Sequence, residues 1–229
     1  MPTAVITGAN SGIGHAFAKL LVSEEYTVIA ADISTNGPIN DLGCEIHELD
    51  VTSPSSISTF KAALSRRPID LLLNIAGVMP PTQKDNLSTI TLETLEKTFA
   101  VNTFGPLLLT QYMLPYLLLA KEPKVAVMSS RMGSISDNSS GGQYAYRASK
   151  SAVNSVFKSL SVDLREKSVA VVLLHPGIVK TNMTGALGDL GSQAVEPEQA
   201  AKELWAVLKE KRLEDSGKWW HRNGEELPW

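Results

Sequence analysis

The sequence predicts a doubly wound parallel α/β sheet built as a single domain over residues 1–229. Three observations carry that expectation. Short β-branched runs alternate with longer stretches of helical periodicity along the whole chain, the pattern of strands joined by crossover helices. The first run enters a glycine-rich turn that opens into a helix. A later run, IDLLLNIAG (69–77), is almost wholly apolar, as a strand covered on both faces should be.

Taken in order, TAVITGA (3–9) reads as the first strand, and 13–24 as a helix with Ile13, Phe17, Leu20 and Leu21 on one face. TVIAADI (27–33) and EIHELD (45–50) are the second and third strands. Residues 55–65 form a helix opened by the capping chemistry of TSPSS. After the fourth strand, 92–119 reads as one long helix, KVAVMSS (124–130) as a strand, 144–166 as another long helix and VAVVLLHPG (169–177) as the sixth strand. A helix at 197–212 and a last strand near KWWHR (218–222) complete the set.

Bulk properties exclude several classes. A chain of 229 residues supports one substantial core, and a second full domain would be cramped. Lys and Arg number 21 against 24 Asp and Glu and are scattered, so no nucleic-acid partner is expected. Cys44 stands alone, which excludes an internal disulfide and suits a reducing compartment, the cytoplasm by default. The opening MPTAVITGAN lacks the pattern of a signal peptide. The most apolar stretch, GPLLLTQYMLPYLLLA (105–120), is interrupted by Gln111, Tyr112 and two prolines, so no membrane partner is expected. His15, His47 and His221 lack metal-ligand spacing and no metal site is expected; His175, beside Pro-Gly, is read as structural.

TGANSGIG sets Gly8, Gly12 and Gly14 at the first strand-to-helix junction, where a Cβ would keep the backbone from a pyrophosphate and the helix offers free N–H groups. Asn10, Ser11 and Ile13 share that turn. The lysine of an ATP-type phosphate loop is absent. Asp32 closes the second strand, where a carboxylate accepts from adenosine ribose hydroxyls and repels a 2′-phosphate. With no Arg or Lys in DISTNG and Ser at position 11, NAD is favoured over NADP, a turn or cap role for Asp32 being the alternative. Asp50 is placed to reach the adenine amino group with Val51 supplying backbone, and Asn74, Ala76 and Gly77 of NIAG lie beside the cofactor.

Taken together, TGANSGIG, NIAG, VN at 101–102, SS at 129–130, Tyr146-x-x-x-Lys150 and PGIVKT (176–181) resemble the short-chain dehydrogenases/reductases, in that family's order and over essentially the whole chain. SSRMGSISDNSSGG, YRASKSAVN and the ending GKWWHRNGEELPW look most like the branch of C-factor and sniffer-type small carbonyl reductases. The resemblance implies a Rossmann fold, hydride transfer between a nicotinamide cofactor and a secondary alcohol or carbonyl, and a tetrad of Asn102, Ser130, Tyr146 and Lys150. In it Tyr146 is the general acid or base, Lys150 also holds the nicotinamide ribose, Ser130 polarises the carbonyl, and Asn102 kinks its helix around a proton-relaying water. Pro176, Gly177, Ile178 and Thr181 would hold the nicotinamide end. Ser130 lies sixteen residues before Tyr146, further than is usual in the family, so SDNSSGG is treated as carrying an insertion and Ser129 and Ser134 stay open.

An unperturbed phenol is ~2–3 pKa units, or ~3–4 kcal/mol, from serving as a base near neutrality. An ammonium ~4 Å away at an effective dielectric near 20 supplies ~4 kcal/mol, and one helical turn puts Lys150 on the same face as Tyr146. Lys150 is therefore expected to lower the phenol's pKa unaided.

NMTGALGDLGSQAVEPEQ (182–199) occupies the place of the family's substrate-covering loop, with Met183 and Leu187 as apolar contacts. Trp205, Trp219 and Trp220 are read as packing, and Trp229 either as packing or as reaching a neighbouring subunit. Helices 92–119 and 144–166 match the family's subunit interface, implying a homodimer or homotetramer. Two rivals to the oxidoreductase remain: a dinucleotide-binding signalling or scaffold protein, and a dehydratase or epimerase on the same fold.

Overall fold

A computed structural model describes residues 1–185 and 191–229. Seven strands form one all-parallel sheet in the order β3-β2-β1-β4-β5-β6-β7: β1 (Thr3–Thr7), β2 (Thr27–Asp32), β3 (Glu45–Glu48), β4 (Leu71–Asn74), β5 (Lys124–Met128), β6 (Ala170–His175) and β7 (Trp219–His221). Val5 of β1 is in register with Ile29 on one side and Leu72 on the other. The sequence order therefore reverses between β1 and β4, and the chains leaving these two strands at their carboxyl ends diverge and open a crevice.

Helices cover both faces. α2 (Pro54–Ala63), α4 (Gly105–Leu117) and α5 (Tyr144–Asp163) bury Ile57, Phe60, Leu109, Met113, Val153 and Phe157 on the side of Val5. On the side of Ala4 and Ile6 lie α1 (Gly12–Ser23), with Phe17 and Leu21, and α6 (Pro197–Glu210), with Leu204 and Leu208. Adjacent residues of β1 thus feed opposite cores, which is why the strands read as unbroken apolar runs. Among the described residues no helix is long and apolar enough to cross a membrane.

The expected strands are real but shorter at their carboxyl ends. β1 stops at Thr7 and β4 at Asn74, because the residues that follow leave the sheet to wall the crevice. The single helix expected over 92–119 is α3 (Leu92–Phe99) and α4 joined by a π-helical turn, Ala100–Phe104. That turn carries Asn102 and breaks the α-helical hydrogen-bond pattern there.

Trp229 packs against its own chain. Its ring stacks on buried Trp219 at 5.8 Å, and its carbonyl accepts from Ser136 N and Oγ at 3.3 and 3.0 Å, so the end of the chain closes over the 134–137 turn. Leu187 lies outside the described residues. The flanks of its segment are held together: Val195 N donates to Ile178 O at 3.0 Å and Lys180 N to Val195 O at 2.9 Å.

Candidate active site

A cleft of about 1190 Å³ runs along the carboxyl edge of the sheet, from Asp32 and Asp50 at one end to Tyr146 and His221 at the other. The glycine turn forms its floor, with Gly8, Ser11, Gly12, Ile13 and Gly14 all lining it. Gly14 is demanded by the turn itself: a Cβ there would lie 2.1 Å from Gly8 O. The first turn of α1 holds no acidic side chain, so its N–H groups face the cleft unopposed.

Asp32 lines the cleft and also braces the turn. Its Oδ2 accepts from Asn10 N at 3.0 Å and its Oδ1 from Ser34 N at 3.2 Å. Asp50 and Val51 wall the same end, the Asp50 Oδ1 accepting from Thr52 N at 2.8 Å and Thr52 Oγ1 at 2.7 Å. Ala76 and Gly77 line the middle; Pro176, Gly177, Ile178 and Thr181 face them from beyond β6.

Two expected cofactor contacts fall elsewhere. The Asn10 side chain is engaged within the fold, its Nδ2 donating to Ser34 O and Asn36 O at 3.0 and 2.8 Å and its Oδ1 accepting from Ile39 N at 3.0 Å. Asn74 turns into the α4 face of the sheet, where its Nδ2 donates to Ala126 O at 3.3 Å. Both side chains brace cleft walls that neighbouring residues form.

At the other end β5 delivers a short turn, Arg131–Gly133, capped by Ser130, whose Oγ accepts from Met132 N at 3.3 Å. A Cβ on Gly133 would lie 2.7 Å from the Lys150 backbone, so glycine lets this turn press against α5. Ser130 is thereby brought toward Tyr146, and both line the same end of the cleft. Ser129 instead donates to Asn154 Oδ1 at 2.5 Å, and Ser134 pairs with Ser136 Oγ at 3.1 Å. Of the three serines, Ser130 is the one whose side chain acts to lower the Tyr146 phenol's pKa.

Tyr146 and Lys150 are both buried. Lys150 Nζ donates to Met128 O at 2.8 Å and lies 5.8 Å from the Tyr146 ring centroid. Burial lowers its pKa to about 8. The phenol does not behave as the lysine argument expected: burial pushes it above its ordinary 10, and the Ser130 hydrogen bond opposes that rise. The reason is desolvation, which penalises phenolate and ammonium alike and was absent from a Coulomb term between two helical neighbours. Asn102 stands one layer behind. Its Oδ1 accepts from Val78 N, its Nδ2 donates to Val78 O, both at 2.8 Å, and the same Nδ2 donates to Ser149 Oγ at 3.0 Å.

The sequence reading missed part of the lining. Val78 and Met79 after β4, Arg131 after β5, His221 at the end of β7 and Arg222 and Glu225 after it all face the cleft. Their one signal was position at or just past the carboxyl end of a strand. His175 also lines the cleft. Its Nδ1 accepts from Arg131 N at 3.2 Å, its ring lies 5.3 Å from that of His221, and burial, with His221, Arg131 and Arg222 adding, lowers its pKa to about 3. It is a neutral acceptor that braces the Ser130 turn. Among the described residues no group of three or more His, Cys, Asp or Glu is placed to hold a metal.

A family model described as short chain dehydrogenase matches residues 2–190. A 1-hydroxy-2-glutathionyl-2-methyl-3-butene dehydrogenase of Rhodococcus sp. (strain AD45) is 34% identical over all of both chains. The C-signal protein of Myxococcus xanthus is 38% identical over 71% of this chain and 93% of its own. Among solved structures, an NADPH-bound carbonyl reductase from chicken fatty liver superposes with a TM-score of 0.91 at 29% identity, over 100% of this chain and 99% of that one.

Proposed function

The chain belongs to the short chain dehydrogenase family, and we propose that within it the cleft reduces a carbonyl, or oxidises the corresponding secondary alcohol, with NAD as the preferred partner and Tyr146 as proton donor and acceptor. It is an oxidoreductase of the hydride-transferring kind. The observations that carry the residue assignment are the joint burial of Tyr146 and Lys150 and the placing of Ser130 beside them, at the far end of a cleft floored by a helix N-terminus.

The donor set suits a dinucleotide. α1 offers N–H groups to a diphosphate, Asp32 an acceptor to ribose hydroxyls, and the Lys150 ammonium a donor with no carboxylate partner among the described residues. A bound nicotinamide supplies or takes the hydride. The chain's own residues handle the rest. Ser130 Oγ polarises the substrate oxygen as an oxyanion donor. Tyr146 gives that oxygen its proton, a transfer that the raised phenol pKa keeps loaded at neutrality. With a pKa of about 8, Lys150 lies close enough to physiological pH to resupply the proton, and Asn102 holds the π turn and Val78 behind it.

NAD is preferred here because Asp32 presents a carboxylate where a 2′-phosphate would lie, and residues 33–37 bring no cation. The chicken liver enzyme holds NADPH, so titration with NADH and NADPH, followed by nicotinamide fluorescence, is the direct test. Because Asp32 also braces Asn10 and Ser34, Asp32→Asn, which keeps an acceptor oxygen, is the variant to compare. NADH should bind the unaltered protein more tightly, and Asp32→Asn should shift the ratio toward NADPH by about tenfold, the value of one charge–phosphate contact. Tighter NADPH binding by the unaltered protein would reverse the assignment.

The exposed apolar side chains of Phe104 in the π turn and Val162 on α5 support a homodimer or homotetramer through these helices, which light scattering on the eluted protein would measure. Cys44, unpaired, supports a cytoplasmic location.

A further inference from the structure

Between β4 and α3 residues 78–85 run as a strap that ends in a 3-10 turn, Thr82–Lys84, with Pro80 and Pro81 restricting its backbone. One end is the Val78–Asn102 pair of hydrogen bonds. The other is Asp85, which is completely buried. Its Oδ1 accepts from Ala145 N at 2.8 Å and its Oδ2 from Tyr146 N at 3.1 Å, while its main-chain carbonyl accepts from Gln143 N at 2.9 Å.

α5 has no cap of its own. Gln143, the residue before it, sits in the left-handed region at φ 47° and makes no side-chain cap; its Nε2 donates instead to Thr82 Oγ1 at 3.3 Å. A carboxylate sixty residues upstream therefore serves the N–H groups that a local cap would take. Among the described residues Asp85 has no ion-pair partner. A buried carboxylate is tolerated only when its oxygens are fully used, and here the first turn of α5 uses them, with the helix dipole adding to the hold.

We propose that Asp85 is a positioning residue for the reaction: it fixes the first turn of α5, and through Tyr146 N it sets where the phenol stands relative to Ser130. The proposal rests on the reading of Tyr146 as the proton donor. Uncapped first turns fray, and Tyr146 lies in that turn, whereas Lys150 lies one turn deeper and is pinned by the close approach of Gly133. Loss of Asp85 should therefore disturb the phenol and spare the cofactor end.

The test compares Asp85→Ala and Asp85→Asn with Ser53→Ala, which removes the ordinary cap of α2, where Ser53 Oγ accepts from Ser56 N at 3.3 Å. Turnover is read with a ketone or aldehyde that the unaltered enzyme reduces, and affinity by NADH fluorescence. Asp85→Ala should lower kcat on the order of 10–100-fold, the scale of a misplaced reacting group, with NADH affinity nearly unchanged. Asp85→Asn, which keeps one acceptor oxygen but sets an NH2 group against the second backbone N–H, should restore part of the rate. Ser53→Ala should lower Tm without moving kcat. An unchanged kcat in Asp85→Ala overturns the proposal, as does a loss of rate that Asn fails to restore and NADH affinity follows in step. If Asp85→Ala does not fold, Thr82→Ala, which releases only the Gln143 side chain, should slow turnover several-fold; no change in kcat or NADH affinity there counts against the strap. Tyr146→Phe separates the two readings: if it is inactive while Asp85→Ala is fully active, only the positioning role falls; if it turns over normally, the proton-donor reading falls and this proposal with it.

Discussion

The two ends of the cleft are built on opposite principles. At the glycine-turn end the polar groups are tied to one another: Asp32 holds Asn10 N and Ser34 N, the Asn10 amide spans to Ser34, Asn36 and Ile39, and Asp50 holds Thr52. Asp32 and Asp50 line the cleft there and brace its walls at once. At the Tyr146 end the groups are buried and displaced from their ordinary titration, with the phenol pushed up, Lys150 lowered to about 8 and His175 to about 3. Their support comes from the layer behind, from Asn102, Gly133 and Asp85. One end is preorganised by its own hydrogen bonds. The other is held from behind by residues of neighbouring segments.

The largest expected effect sharpens that contrast. Tyr146→Phe should reduce kcat by roughly 10³-fold, within the range for a lost general acid, while thermal stability and NADH affinity change little. A variant that loses stability as well would show that the phenol is part of the architecture after all. Gly14→Ala is the counterpart at the other end. Its Cβ would meet Gly8 O at 2.1 Å, so the turn must open, at a cost of about 3 kcal/mol in a denaturant melt. Cofactor affinity should fall with it, and normal stability would mean that the turn is looser than its geometry.

The smallest effect concerns Lys150 and pH. Its folded pKa lies below its unfolded value, so between about 8 and 10.5 the unfolded chain binds the extra proton and stability rises with pH through that window. Below about 8 the charged lysine is buried at a penalty, ~3 kcal/mol from the size of the shift. Lys150→Met should therefore stabilise the protein at pH 7 by roughly 1–2 kcal/mol, once the Met128 carbonyl's lost donor is counted. The gain should shrink as pH rises toward 10.5, with activity lost throughout. A gain that stays constant with pH would mean that Lys150 keeps its charge without penalty.

Much of this was legible in the sequence because it depends on local chemistry. Apolar runs announced the strands, since each is covered on both faces, and the glycine turn declared itself because Gly8 and Gly14 meet within one short turn. Tyr146 and Lys150 share a helix face by periodicity alone. Asp85 and the carboxyl end of β7 gave no such signal. Asp85 acts on backbone sixty residues away, and His221, Arg222 and Glu225 reach the cleft only because β7 pairs with β6.

By itself, then, the sequence determined the doubly wound sheet, its single core on each face and the residues with the right chemistry, because periodicity, turn residues and functional groups are written in neighbouring positions. Tertiary structure alone decided that Ser129 bonds to Asn154 and Ser134 to Ser136, that Asn10 and Asn74 brace the walls and do not line the cleft, and that the phenol's pKa rises. Those outcomes depend on close approach between distant segments and on the water that burial removes, and neither has a signature along the chain.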